Sequence, residues 1–201
     1  MWLSIYIEAR VNAVATADRS RILDAADRLF NTRGYRSVTM ADLAAELGMS
    51  KKTLYLEFSG KAEIADEIVE RMFGRIQHAI DESDFEDEPV QNLKVLIERI
   101  KDEVSHMQPI FFRDIQKDLP DLWHRITEFR AKRILAVTQT SIEKAQELGE
   151  IRALDARLTA LILLEAVQSV VRPEFLSRYQ YGTREVLDTL LNVFFHGVFS
   201  T

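Results

Sequence analysis

Apolar residues recur every three or four positions along most of this chain, and they almost never alternate with polar ones. Ile22, Ala25, Ala26, Leu29 and Phe30 share one helical face, and Gly34 closes it. Leu43, Ala44 and Leu47 make a second stripe, and Leu54 and Phe58 a third, four residues apart. Ile64, Ile68, Met72 and Ile76 then mark one long helix over residues 61–80. An acidic run over residues 81–88 reads as a solvated loop. After Pro89 the period resumes with Leu93, Leu96, Ile97, Ile100 and Val104. Such spacing buries one face of a helix and leaves the other in water. Pro109 and Pro120 stand where helices can begin, because proline lacks an amide that the first turn leaves unbonded anyway. Further helices are expected towards Gly149, over residues 155–171 and over residues 183–198. No strand-like alternation and no internal repeat stands out, so the expected fold class is all-α.

The stretch from Thr39 to Phe58 has the clearest local signals. Thr39 followed three residues later by Asp42 is a capping-box pattern and fixes a helix start at Met40. Gly48 sits after the last apolar position, where a left-handed residue ends a helix at least cost. Met49 offers an apolar plug, and Ser50 is a good N-cap for a following helix. Two short helices around such a turn form a helix-turn-helix unit, whose second helix enters the DNA major groove N-terminus first. A helix start also presents free amides and a positive dipole end to phosphate. Ser50, Lys51, Lys52, Thr53 and Tyr55 cluster there. The competing view is a Lys-Lys pair on an ordinary solvated helix.

The flanking residues extend the pattern. The run from Arg21 to Ile64 resembles the DNA-binding domain of the tetracycline-repressor (TetR) family of bacterial transcription regulators. The features that carry the resemblance are ILDAADRLF, Gly34-Tyr35, the Thr39 cap, ADLAAELGMSKKTLYLEF and Lys61 shortly after Phe58. The resemblance implies a three-helix DNA-binding head with a helix-turn-helix, followed by a helical bundle for ligand binding and dimerisation. It places an extension at residues 1–16, the head at 17–62 and the bundle at 63–201. It implies that Thr39 and Lys61 touch phosphates, that Lys51, Lys52 and Thr53 face base edges and flanking phosphates, and that Ser50 and Tyr55 hold the backbone. Two departures stand out. Leu56-Glu57 replaces an aromatic pair common in the family, and Glu57 cannot help to hold phosphate. Gly60 replaces a polar cap.

Composition changes this picture only at the edges. The 201 residues are 47% hydrophobic, enough for a real core, and include no cysteine. Disulfides and thiolate metal sites are therefore excluded. The net charge of −6 looks wrong for a DNA binder. It is unevenly placed: residues 8–61 carry nine basic and seven acidic side chains, and all of the excess acid lies after them. Two mildly basic heads in a dimer, with lysines focused at helix ends, would compensate, and affinity should fall steeply with salt. No apolar run reaches the length of a membrane span. Residues 1–7 are apolar but short and lack a basic start, so they make a poor signal peptide. Residues up to about Thr16 read as an extension or a helical arm. The expected setting is the cytoplasm, with double-stranded DNA, a small-molecule effector and a second copy of the chain as partners, and with no cofactor and no membrane.

The final helix carries two adjacent apolar stripes. Val186, Leu190, Val193 and Gly197 form one, and Leu187, Leu191, Phe194 and Val198 the other, with Phe195 beside them. The helix before it, with Leu158, Leu161, Ile162, Leu164 and Val167, is similarly broad. So wide a surface must be covered on two sides, by its own core and by a partner. An effector site wants an apolar lining with a few polar groups. The candidates are Phe111, Phe112, Trp123, Phe129 and Gln168, with His106, His124, Gln139 and Glu165 on helices that could face inward. A rival reading is a helical-bundle metal site or enzyme built on Glu103/His106 and Asp121/His124, with Glu165 as an extra ligand, since a carboxylate and a histidine three apart share a helix face. No phosphate loop, nucleophile elbow or catalytic triad order is present, and no catalytic or metal residue is assigned.

Overall fold

The computed structural model describes residues 19–198, and among them every extended run of regular structure is helical. The expected extension at residues 1–16 lies outside the described residues. The chain divides into two compact units, Met1–Glu70 and Arg71–Thr201.

The first unit holds α1 (19–33), α2 (Met40–Leu47), α3 (Lys51–Glu57) and the opening turns of α4 (Lys61–Asp81). Its core joins Ile22, Ala26 and Phe30 of α1, Leu43 of α2, Leu54 and Phe58 at α3, and Ile64, Ala65 and Val69 of α4, all buried. Leu29 and Leu47, expected in these stripes, are only half-buried, and Leu23 takes part instead. Because the opening turns of α4 supply core residues here, the division falls inside that helix, after the 62/63 boundary read from the sequence. Arg19 ties the unit together. It pairs with Glu63 at 3.1 Å and with Glu67, donates to the Glu57 carbonyl, and lies 4.0 Å over the Phe58 ring.

The second unit runs from the rest of α4 through α5 (Pro89–His106), α6 (Pro109–Asp118), α7 (Pro120–Phe129), α8 (Leu135–Glu147), α9 (Ala156–Val170), α10 (Pro173–Tyr179) and α11 (Thr183–Val198). All four prolines of the chain open helices. The short α10 is an addition to the sequence reading. A single π-helical turn, Arg130–Ile134, joins α7 to α8, and the Leu135 amide donates to the Arg130 carbonyl five residues back. Helix α8 packs on α5 and α9, and α9 on α11. One core cluster joins Leu93, Ile142, Ala145, Ile151, Ala156 and Ala160. The broad apolar surfaces of α9 and α11 are partly covered within the chain: Ala160, Leu163, Leu164, Val186, Leu187 and Leu191 are buried. Leu158, Ile162 and Val193 remain 55%, 57% and 70% exposed.

Candidate nucleic-acid interface and body cavity

Local hydrogen bonds fix the helix-turn-helix. Thr39 accepts from the Asp42 amide at 3.2 Å, while the Asp42 carboxylate accepts from the Thr39 amide at 2.8 Å. The Thr39 hydroxyl also donates to that carboxylate at 2.7 Å. These bonds, the hydroxyl first, hold the Asp42 carboxyl below its ordinary range. Gly48 ends α2 at φ +63°, and the Met49 amide reaches back to the Ala44 carbonyl at 2.9 Å. A Cβ at Gly48 would meet nothing within 4 Å, so the demand there is torsional, not steric. Ser50 then caps α3 by accepting from the Thr53 amide at 3.1 Å, and the two hydroxyls share a hydrogen bond of 2.9 Å.

The result is a short helix anchored by Leu54 and Phe58, both buried, with the opposite face in water. Thr39, Ser50, Lys51, Lys52, Thr53 and Tyr55 are all exposed. Lys51 and Lys52 have no ion pair among the described residues. Leu56, which the sequence reading passed over as a departure, is 76% exposed beside Tyr55 at 53%. Hydroxyls, two cations, a phenol and an apolar side chain therefore share one small surface, the mix that reads phosphates and base edges.

Lys61 is placed differently from a phosphate ligand. Its ammonium donates to the Tyr35 carbonyl at 2.9 Å and the Val38 carbonyl at 3.0 Å, and lies 4.3 Å from the centre of the Tyr35 ring. In this arrangement it binds the α1–α2 loop to the start of α4. Ser59 and Glu63 complete that junction: the Ser59 amide and hydroxyl donate to the Glu63 carboxylate at 2.7 and 2.8 Å. Those bonds, with Arg19 after them, hold Glu63 below the usual carboxylate range.

The second unit contains a cavity of about 90 Å3 that opens to solvent on one side. It lies between α5, the π turn with α8, α9 and α11. Its lining is mostly Leu, Ile and Val, with Lys101, Arg130, Thr138 and Gln168 as the polar members. Of the five residues expected to line an effector site, only Gln168 is on this wall. Phe111 is fully buried and Phe112 nearly so, and they pack on each other with ring centres 6.0 Å apart. Trp123 meets Phe112 edge-on at 6.4 Å, and Phe129 stacks on Phe73 at 4.3 Å. Their helical period reported burial correctly; it carried no information on whether the buried side met a void or another ring. Arg130, which does line the cavity, was not anticipated. The available signal was that Arg130 stands four residues from both Ile126 and Ile134, on their apolar face.

The metal reading finds no support. Glu103 pairs with Arg75 at 2.6 Å, and the His106 Nδ1 lies 2.6 Å from the Asp102 carbonyl oxygen. Asp121, His124 and Glu165 are exposed. Among the described residues no group of three or more His, Asp or Glu could hold an ion. Gln139 is bonded to Glu143 at 2.8 Å on the protein surface side of α8.

Comparison with known proteins agrees with this geometry. Residues 22–68 match the family model for bacterial regulatory proteins of the tetR family. YvaF of Bacillus subtilis, named as an HTH-type transcriptional regulator, is 26% identical over 181 residues, covering 89% of this chain and 94% of its own. The ketosteroid transcriptional regulator KstR2 of Mycobacterium tuberculosis superposes with a TM-score of 0.64 at 21% identity, over 92% of this chain and 96% of its own. SmeT, solved with triclosan, superposes at 0.66 with 19% identity, over 92% of each chain.

Proposed function

Since the chain belongs to the tetR family of bacterial regulatory proteins, and is a DNA-binding transcriptional regulator, we propose that it is a homodimeric repressor released from its operator by a small, largely apolar molecule. The observation that carries the DNA half is the start of α3. Lys51 and Lys52 stand in water without ion pairs, next to Thr53, Tyr55 and the Ser50 cap. Lys51, Lys52 and Thr53 read bases and adjacent phosphates, Thr39, Ser50 and Tyr55 hold the backbone, and Lys61 adds a phosphate contact if DNA draws it from the Tyr35 and Val38 carbonyls. A protein of this kind reads two half-sites with two copies of α3, which calls for a twofold dimer. Leu158 and Ile162 on α9 and Val193 on α11 supply exposed apolar surface for the partner.

The effector half rests on the cavity of the second unit. Its lining, mostly apolar with a few polar groups, is of the kind usual for small-molecule sites, and a protein of the same fold holds triclosan. Helix α4 begins in one unit and ends in the other, so a ligand that favours one setting of the helices around α5 biases the setting of the head. Binding of ligand and operator are then reciprocally coupled.

Selection of duplexes from random DNA tests the whole reading. The expected outcome is an inverted repeat with half-sites about one helical turn apart, or a multiple of it. Absence of any enriched sequence at moderate salt would reject it. The selected operator then supports a second measurement: sedimentation should give a dimer, and Ile162→Glu should yield monomers that lose operator affinity.

A further inference from the structure

The cavity wall is nearly all apolar, yet one cation faces it without a counter-charge. The Arg130 side chain makes no hydrogen bond and no ion pair with any described residue. Its guanidinium carbon lies 5.6 Å from the centre of the Phe112 ring and 5.8 Å from that of Trp123. Those aromatic faces hold it in place but leave its N–H donors unused. The other cation on the wall is already satisfied: Lys101 donates to Asp188 at 2.5 Å and pairs with Glu98. The Thr138 and Gln168 side chains also reach the cavity without a hydrogen bond to a described residue. Arg130, Ile134 and Thr138 line one wall at spacing four, and Arg130 is the residue at which the helix makes its π turn. A π turn inside an α-helix forgoes regular hydrogen bonding and is frequent at functional sites.

We propose that this cavity binds an amphipathic organic anion, an apolar body carrying one carboxylate, and that Arg130 receives the carboxylate. The proposal rests on the effector reading above and names the ligand class. Arg130 is half-buried; a guanidinium drawn even partly out of water without a partner weakens the fold, and an apolar residue at that place would pack better. A bound carboxylate removes the penalty, because its two oxygens match the planar fork of an arginine. The Thr138 hydroxyl and Gln168 amide can complete its hydrogen bonds. Burial lowers the Arg130 guanidinium to about 10, so it keeps its charge at neutral pH. A neutral ligand of the same shape gains the apolar contacts but leaves the charge unpaired, and a cationic one meets repulsion.

Calorimetric titration of the full chain with decanoate, decanol and decyltrimethylammonium, below their aggregation limits, tests this. Decanoate should bind at least about tenfold more tightly than decanol, the scale of one charge-assisted pair. Decyltrimethylammonium should bind more weakly than either. Arg130→Met should abolish the preference for decanoate, leave decanol binding unchanged and keep or raise the melting temperature, an outcome a merely structural arginine would not give. Arg130→Lys should keep part of the preference, and it serves if the methionine variant fails to fold. Equal binding of decanoate and decanol, or an unchanged preference in Arg130→Met, would overturn the assignment. Operator release separates the two levels. Decanol that binds and releases the operator as well as decanoate removes the anion proposal and leaves the effector reading intact. Decanoate that binds through Arg130 without affecting operator affinity does the reverse. No binding by any probe removes both.

Discussion

In the first unit, the cations turned towards the protein among the described residues have acceptors. Arg19 meets Glu63 and Glu67, and Lys61 meets the carbonyls of Tyr35 and Val38. Lys51 and Lys52, without an ion pair among the described residues, stand in water. In the second unit the order is reversed for one residue: Arg130 points inward, beside a cavity, with only aromatic faces around it. The difference separates two kinds of recognition. A solvated lysine loses little when its partner is absent, and so suits a polyanion met from outside and released by salt. A desolvated arginine without a partner makes the empty state costly, and so suits a ligand that must be enclosed. The first unit can accordingly be solid, whereas the second has to leave room.

Four measurements sharpen or break this contrast. The largest effect is expected in the solid part of the second unit. Phe111 is fully buried against Phe112, and Phe111→Ala should cost about 3–5 kcal/mol in denaturant unfolding. A loss well below that would mean that the space around Phe111 is as open as the cavity. Next, Lys51→Glu with Lys52→Glu should weaken operator binding about 100-fold or more in a gel-shift assay, with melting unchanged. Retained affinity would remove α3 from the interface. Third, Lys61→Met should destabilise the first unit by about 1–3 kcal/mol, since two buried-side carbonyls lose their donor. If stability holds and only the salt dependence of DNA binding becomes shallower, by about one ion, Lys61 acts on phosphate alone. The smallest effect concerns pH. Glu63 is held below its ordinary 4.5 by Ser59 and Arg19, so its contribution is present above that value and lost as pH falls through its lowered one. Glu63→Gln should flatten that acid limb of the first unit's stability. The effect is small because the side chain is 37% exposed. A limb unchanged by the substitution would show that the Ser59 bonds do not persist in solution.

The two units also differed in how far their sequences could be read. The helix-turn-helix is written in residues whose signals are local. Thr39, Asp42, Gly48 and Ser50 each act on a backbone group within five positions, and each does in the structure what its type and place imply. The second unit depends on which helix meets which, and helical period is silent on that. It correctly gave Phe111 and Phe112 as buried, yet placed them on a cavity that neither lines; Phe112 instead backs Arg130. It could not show that a π turn at Arg130–Ile134 joins α7 to α8. Arg130 went unnoticed because a single arginine in a helix is ordinarily a surface residue, and only the packing of α6 and α7 makes it otherwise.

The division of the chain inside α4 has a practical consequence for dissecting this protein. Ile64, Ala65, Ile68 and Val69 complete the core of the first unit, while the later turns of the same helix belong to the second. A fragment cut at residue 62, the end of the recognisable head, would lack those side chains and be a poor candidate to fold by itself. A fragment ending at Glu70 keeps them. The same holds for chimaeras: a new DNA-reading head can be grafted onto this body only if it brings its own first turns of α4. The exchangeable module is thus longer than its sequence signature, and its seam lies in the middle of a helix.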